Sequence, residues 1–152
     1  MPSVLFVCTA NVCRSPMAMA IFRNLVQGDQ EDWEVASAGT LAIEGLPVAS
    51  KALFVLRSKG LDISDHRSQP VTQELIDRFD LILTMEKNQK EALTVEFPKK
   101  AKRIYLFSEM IGLVYDVPDP VGKSLVNFQN TYNEIEQTLK MGLRKIRRLV
   151  LG

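Results

Sequence analysis

Cys8 and the pair Arg14-Ser15 bracket a short stretch, Cys8-Thr9-Ala10-Asn11-Val12-Cys13-Arg14-Ser15-Pro16, at the point where an apolar run stops and a helical pattern begins. A thiol attacks mainly as its thiolate, and a helix N-terminus or an adjacent cation favours that form. Cys8 has both close by in the sequence. The amides of Thr9, Ala10, Asn11, Val12, Cys13, Arg14 and Ser15 are enough to wrap a tetrahedral oxyanion, and Arg14 adds a planar fork for two of its oxygens. Cys8 then lies beneath the anion, placed for in-line attack on its central atom, and Ser15 can donate to the thiolate when it leaves. The bland alternative, a buried core cysteine at a strand end, does not account for the Arg-Ser spacing.

Phosphoryl transfer from a hydroxyl also needs a proton donor for the leaving oxygen. Ligands of open α/β sheets bind at the carboxyl ends of the strands, so the loop after the fourth strand is the natural supplier. Asp119, before Pro120, is the candidate there; Asp116 is its rival, and an ordinary turn aspartate is the alternative for both. Cys13 has two readings, inert packing or a redox partner that closes a protective disulfide with Cys8.

The elements that must hold these residues follow from hydrophobic periodicity. Val4-Leu5-Phe6-Val7 is continuously apolar, as in a strand covered on both faces, and Met17, Ile21 and Leu25 then recur at helical spacing. A second strand is expected over residues 33–37, ending in Ala38-Gly39-Thr40, and a helix over about 47–59 with Gly60 as its stop signal. Asp65-His66-Arg67-Ser68 is a polar loop, and a short capped helix at 72–76 precedes a strand at 81–83. A helix at 86–97 ends at Pro98, a fourth strand covers 104–107, and residues 108–118 form a loop or irregular helix. Leu125, Phe128, Tyr132, Ile135, Leu139, Leu143, Ile146 and Val150 mark one long amphipathic helix. Strands alternating with helices predict an α/β, three-layer sandwich around a parallel sheet.

The totals narrow the function classes. A chain of 152 residues predicts one domain, 1–152, with a sizeable core. A net charge of +1 argues against a strongly basic nucleic-acid binder. The start of the chain does not read as a signal peptide and no segment is long enough to span a membrane, so the cytoplasm is the expected location, with neither nucleic acid nor membrane as partner. Two cysteines within one motif and a lone histidine exclude a disulfide framework and a Cys/His zinc site. The basic residues Lys140, Arg144, Lys145, Arg147 and Arg148, and those from Lys99 to Arg103, read as solvated faces rather than partner sites.

Val7-Cys8, then Arg14-Ser15-Pro16, Ser37-Ala38-Gly39, the lone His66 in a polar loop, and Asp119-Pro120 before a long last helix together resemble the low-molecular-weight protein tyrosine phosphatase family. The resemblance runs along essentially the whole chain in the family's motif order. It implies a flavodoxin-like fold with a four-stranded parallel sheet and no metal or other cofactor. It also implies roles: Cys8 as nucleophile, Arg14 as phosphate clamp, Ser15 as the thiolate's hydroxyl partner, Asp119 as general acid, and Asn11, Ser15, Ser37 and His66 as the network that shapes the loop. The implied partners are a phosphorylated protein or peptide substrate and, in the loop, phosphate or a similar oxyanion.

Departures from the family pattern bear on substrate. Ala10 stands where many relatives have glycine, so a glycine-only backbone angle there would strain the loop and lower activity; this motivates a rival reading as a non-catalytic oxyanion-binding module. Val12, Leu41 and Val121 give the pocket aliphatic rather than aromatic walls. Val12 is of the type usual in tyrosine-directed members, whereas Gly122, two residues past the Asp-Pro pair, leans toward protein-arginine phosphatases of the same fold. The reading taken is phosphotyrosine, because Val12 is nearer the reacting centre. No cysteine follows Cys13, so the cysteine relay of arsenate reductases with this fold is missing.

Overall fold

The computed structural model describes residues 1–152. Four parallel strands, β1 (Ser3–Cys8), β2 (Glu34–Gly39), β3 (Leu81–Thr84) and β4 (Ile104–Leu106), lie in the order β2-β1-β3-β4. The helices are α1 (Arg14–Val26), α2 (Ser50–Ser58), α3 (Gln73–Arg78), α4 (Lys87–Glu96) and α5 (Leu125–Leu151), with 3-10 turns at Pro98–Arg103 and Phe107–Ile111. This is the expected three-layer α/β sandwich.

Alternation along β1 sorts the core into two layers. Val4, Phe6 and Cys8 face the larger cluster with α1, α2 and α5, where Phe6 meets Phe22 and Phe107 edge-on. Leu5 and Val7 face the smaller one with Ile76, Phe79, Leu93 and Phe97, from and beside α3 and α4. Every residue of β1 is buried, as its unbroken apolar run requires. β1 is central, and the loop that follows it emerges at the carboxyl edge between β2 and β3.

Element boundaries differ from expectation in physically readable ways. β2 starts at Glu34 and runs on through Gly39, because Cys8 pairs with Gly39 in the parallel register. α2 begins at Ser50, not near Pro47: the chain before it is extended, with Pro47 bridged to Arg67 and the Ala49 N–H given to the Val12 carbonyl. It stops as expected, with Gly60 at φ +77°. α3 is capped by Thr72, which accepts from the Leu75 N–H, and runs on to Arg78. Phe107 leaves β4 to enter the 3-10 turn that opens the irregular segment.

No helix is long and apolar enough to cross a membrane. Much of the basic charge is used within the fold. Arg147 pairs with Asp29 and Lys140 with Glu136, Lys145 donates to the Glu109 carbonyl, and Lys100 and Arg103 donate to the carbonyls of Asp77 and Asp80.

Candidate active site

β1 ends at Cys8 and α1 begins at Arg14, so residues 9–13 must reverse the chain over the carboxyl edge of the sheet. Cys8 is almost wholly buried, with its Sγ 3.0 Å from Ser15 Oγ and 3.3 Å from the Asn11 amide nitrogen, which donates to it. Ser15 Oγ accepts from Asn11 Nδ2 at 2.8 Å, leaving its own proton for the sulfur or for the Ala38 carbonyl at 3.4 Å. A deprotonated sulfur is the stronger acceptor of the two. The N–H groups of Thr9, Ala10, Val12 and Cys13 have no acceptor in the protein. They are the amides an oxyanion in the loop would use.

Asn11 holds the loop's shape. It has φ +60°, the one non-glycine residue with positive φ. Its Nδ2 also donates to Ser37 Oγ at 2.9 Å, its Oδ1 accepts from the Gln69 N–H at 3.0 Å, and its carbonyl meets His66 Nε2 at 3.0 Å. A side-chain amide with partners on both ends tolerates the left-handed region, as asparagine does better than other residues. The strain expected at Ala10 is therefore absent: the left-handed position lies one residue later and is filled by the residue type suited to it. Burial holds His66 below the ordinary imidazole range, against the opposing effect of its bond to Asn11. A neutral ring donating from Nε2 fits that arrangement.

Gly39 explains the close seating of the loop on β2. A Cβ there would stand 2.4 Å from the Thr9 carbonyl oxygen, while the N–H groups of Thr40 and Leu41 donate to the carbonyls of Cys8 and Thr9. Only a residue without a side chain allows this approach.

Arg14 is the largest buried side chain and the site's only buried cation. Its Nη1 contacts Glu86 Oε2 at 2.6 Å and donates to the Val117 carbonyl at 2.7 Å, while Nη2 faces Asp119 Oδ2 at 3.8 Å. Nη1 is thus held by the protein, while Nη2 faces Asp119. Asp119, about half exposed, also accepts from the Val121 N–H at 3.0 Å, so the turn reading and the proximity to Arg14 hold together. Its rival Asp116 points elsewhere: it accepts from the Lys87 N–H at 2.8 Å at the start of α4.

Cys13 is buried, and burial, with Cys8 and Asp119 nearby, pushes its thiol well above the ordinary range. Both cysteines are free. Leu41 and Val121 are exposed, Val12 is half-buried, and their backbones join the loop or the Asp119 turn. Gly122 has φ +80° at the third position of a turn closed by the Lys123 N–H on the Pro120 carbonyl, a backbone demand that accounts for the glycine without reference to substrate.

Glu86, Gln89 and Gln69 were not among the sequence candidates. Each lies far along the chain from the loop and carries no spacing signal; a glutamine three residues after Glu86 at a helix start was the one available hint. A cavity of about 470 Å³ beside Met1, Arg23 and Trp33 is at the opposite, amino end of the strands. No group of three or more His, Cys, Asp or Glu side chains is placed to hold a metal.

Residues 3–150 match the family model for low molecular weight phosphotyrosine protein phosphatase. The chain is 36% identical over 147 residues to the probable low molecular weight protein-tyrosine-phosphatase EpsP of Ralstonia nicotianae, covering 97% of both chains. It is 31% identical to a protein-arginine-phosphatase of Bacillus subtilis, covering 95% of this chain and 97% of that one. A crystal structure of a low molecular weight protein tyrosine phosphatase from T. tengcongensis superposes with a TM-score of 0.91 at 40% identity, over 95% of this chain and 99% of that one. With this fold beneath the Cys8-to-Ser15 loop, the chain belongs to the low molecular weight phosphotyrosine protein phosphatase family.

Proposed function

We propose that the protein is a metal-independent phosphatase of phosphotyrosine in proteins or peptides, working through a phosphocysteine intermediate. The observation that carries this is the convergence of Cys8 Sγ, the unpaired loop amides, the anchored Arg14 and Asp119 at one edge of the sheet. The phosphoryl group sits in the loop, its oxygens taken by the free amides of Thr9, Ala10, Val12 and Cys13 and by Arg14. Cys8 attacks phosphorus as thiolate, the S–P bond forms, and the O–P bond to the leaving oxygen breaks as Asp119 gives that oxygen its proton. Asp119, now a carboxylate, takes a proton from water, which attacks phosphorus. The S–P bond then breaks, Ser15 donates to the returning thiolate, and phosphate leaves. Net, one monoester and one water give one hydroxyl compound and phosphate.

Val12, Leu41 and Val121 form the aliphatic mouth. The turn at Gly122 accounts for that glycine with either substrate, so Val12 decides the reading, and the non-catalytic reading loses its motive with the strain at Ala10. Cys13, buried with its thiol held protonated, serves as packing in the resting enzyme. The whole chain, 1–152, acts as one catalytic unit, and a working thiol with a second free cysteine beside it suits the reducing cytoplasm.

The test is turnover of phosphotyrosine and phosphoarginine peptides by the wild type, Cys8→Ser, Asp119→Ala and Val12→Thr proteins. Cys8→Ser abolishes turnover while phosphate binding survives, and Asp119→Ala loses most on substrates with poor leaving groups, by about 10²-fold or more. An active Cys8→Ser protein overturns the mechanism; wild-type preference for phosphoarginine overturns the substrate while leaving the mechanism in place.

A further inference from the structure

Gln89 touches no reacting atom, yet it is a buried polar side chain with every hydrogen-bonding valence engaged. It is the third residue of α4. Its Oε1 accepts from the N–H groups of Met85 at 3.1 Å and Glu86 at 3.0 Å. Two backbone donors on one side settle which end of the amide is oxygen. The nitrogen must therefore face the other way, where it donates to Thr9 Oγ1 at 2.9 Å and lies 3.4 Å from Glu86 Oε2. That same Glu86 oxygen contacts Arg14 at 2.6 Å.

Resting on the phosphatase reading above, we propose that Gln89 is a positioning residue that ties the two ends of the phosphate loop to one helix turn outside it. Thr9 is the first loop residue after the nucleophile; Arg14 is the last before Ser15. Thr9, Gln89, Glu86 and Arg14 form a continuous chain of contacts, so displacing the amide loosens both the amide-bearing start of the loop and the carboxylate that aims the guanidinium. Capping of α4 accounts for the bonds to Oε1 alone. It leaves the bond to Thr9, across eighty residues of chain, without a purpose.

The prediction is read by a double-mutant cycle, with p-nitrophenyl phosphate for turnover and inorganic phosphate for binding by calorimetry. Thr9→Val and Gln89→Leu each lower kcat/KM and weaken phosphate binding about fivefold to tenfold, the usual worth of one hydrogen bond. The Thr9→Val/Gln89→Leu protein is little worse than Gln89→Leu alone, because both changes cut one link. Gln89→Glu keeps the capping oxygen but cannot donate; it retains the fold and loses phosphate affinity. Losses that multiply in the double variant overturn the proposal, as does a lowered melting temperature with unchanged phosphate affinity. A wild-type protein that binds phosphate without turnover sinks the phosphatase reading instead, and calorimetry on the same variants still decides the role of Gln89.

Discussion

On the β2 side of the phosphate loop the Asn11 side chain and carbonyl meet only uncharged groups, namely Ser15, Ser37, Gln69 and a His66 held toward its neutral form. On the β3 side the loop is held through charge, by Glu86 on the buried Arg14 and by Gln89, which touches that carboxylate and Thr9. Shaping a backbone and aiming a cation are different tasks. The first needs donors and acceptors at fixed angles, which amides and hydroxyls supply with little desolvation cost. The second places a guanidinium out of water, which is tolerable only with a carboxylate and a carbonyl against it. Changes on the β2 side are therefore expected to appear first in stability and changes on the β3 side first in catalysis.

Arg14→Lys is the most severe test of the charged side. Lysine keeps the charge but loses the fork that reaches Glu86, Val117 and the anion together, and kcat/KM for p-nitrophenyl phosphate falls on the order of 10³-fold. A loss under tenfold would mean that charge, not aim, is what this side supplies. Asn11→Ala removes three side-chain hydrogen bonds at about 1 kcal/mol each. It lowers the melting temperature by roughly 6–12 °C, with activity falling alongside as the left-handed turn relaxes. Glu86→Gln preserves the shape of the side chain and one acceptor oxygen for Arg14 while removing its charge. It lowers kcat/KM about fivefold to tenfold, with a smaller change in melting temperature than Asn11→Ala. If the two variants exchange signatures, the division of labour between the sides is wrong.

The smallest effect is pH-dependent and belongs to the neutral side. Because burial holds His66 below its ordinary value, the unfolded chain takes up the proton first as pH falls. The stability gained from the neutral ring is complete above the unfolded pKa of ~6.5 and is lost as pH falls from there through the folded value. His66→Gln keeps a donor for the Asn11 carbonyl without titrating. Melting curves of the two proteins are expected to converge as pH is lowered from neutrality; a difference that is constant with pH would show that His66 contributes no proton linkage.

Cys8, Arg14 and Ser15 could be singled out from the sequence because residue type and spacing carry the signal directly, a rare nucleophilic side chain with a planar cationic fork six residues on; Asp119 stood out only through the family resemblance. The strands and the last helix were legible for the same reason, since burial on one or both faces writes a period into the chain. The backbone angles at Ala10 and Gly122 were not legible in the sequence. Whether a position needs positive φ depends on how the loop closes over β2 and how the turn after Pro120 returns, and neither is a local property. Asp116 and Asp119 could not be separated by spacing; the fold gave one to the start of α4 and the other to Arg14.

By itself the sequence marked residues suited to the chemistry and the order of layers, because a candidate nucleophile, a candidate clamp and the hydrophobic period are written in residue type and short spacing. Only the tertiary structure decided what holds that chemistry in place. Gln69, Glu86 and Gln89 reach the loop from more than fifty residues away, through hydrogen bonds whose partners become neighbours when the parallel sheet brings the carboxyl ends of β1, β2 and β3 to one edge.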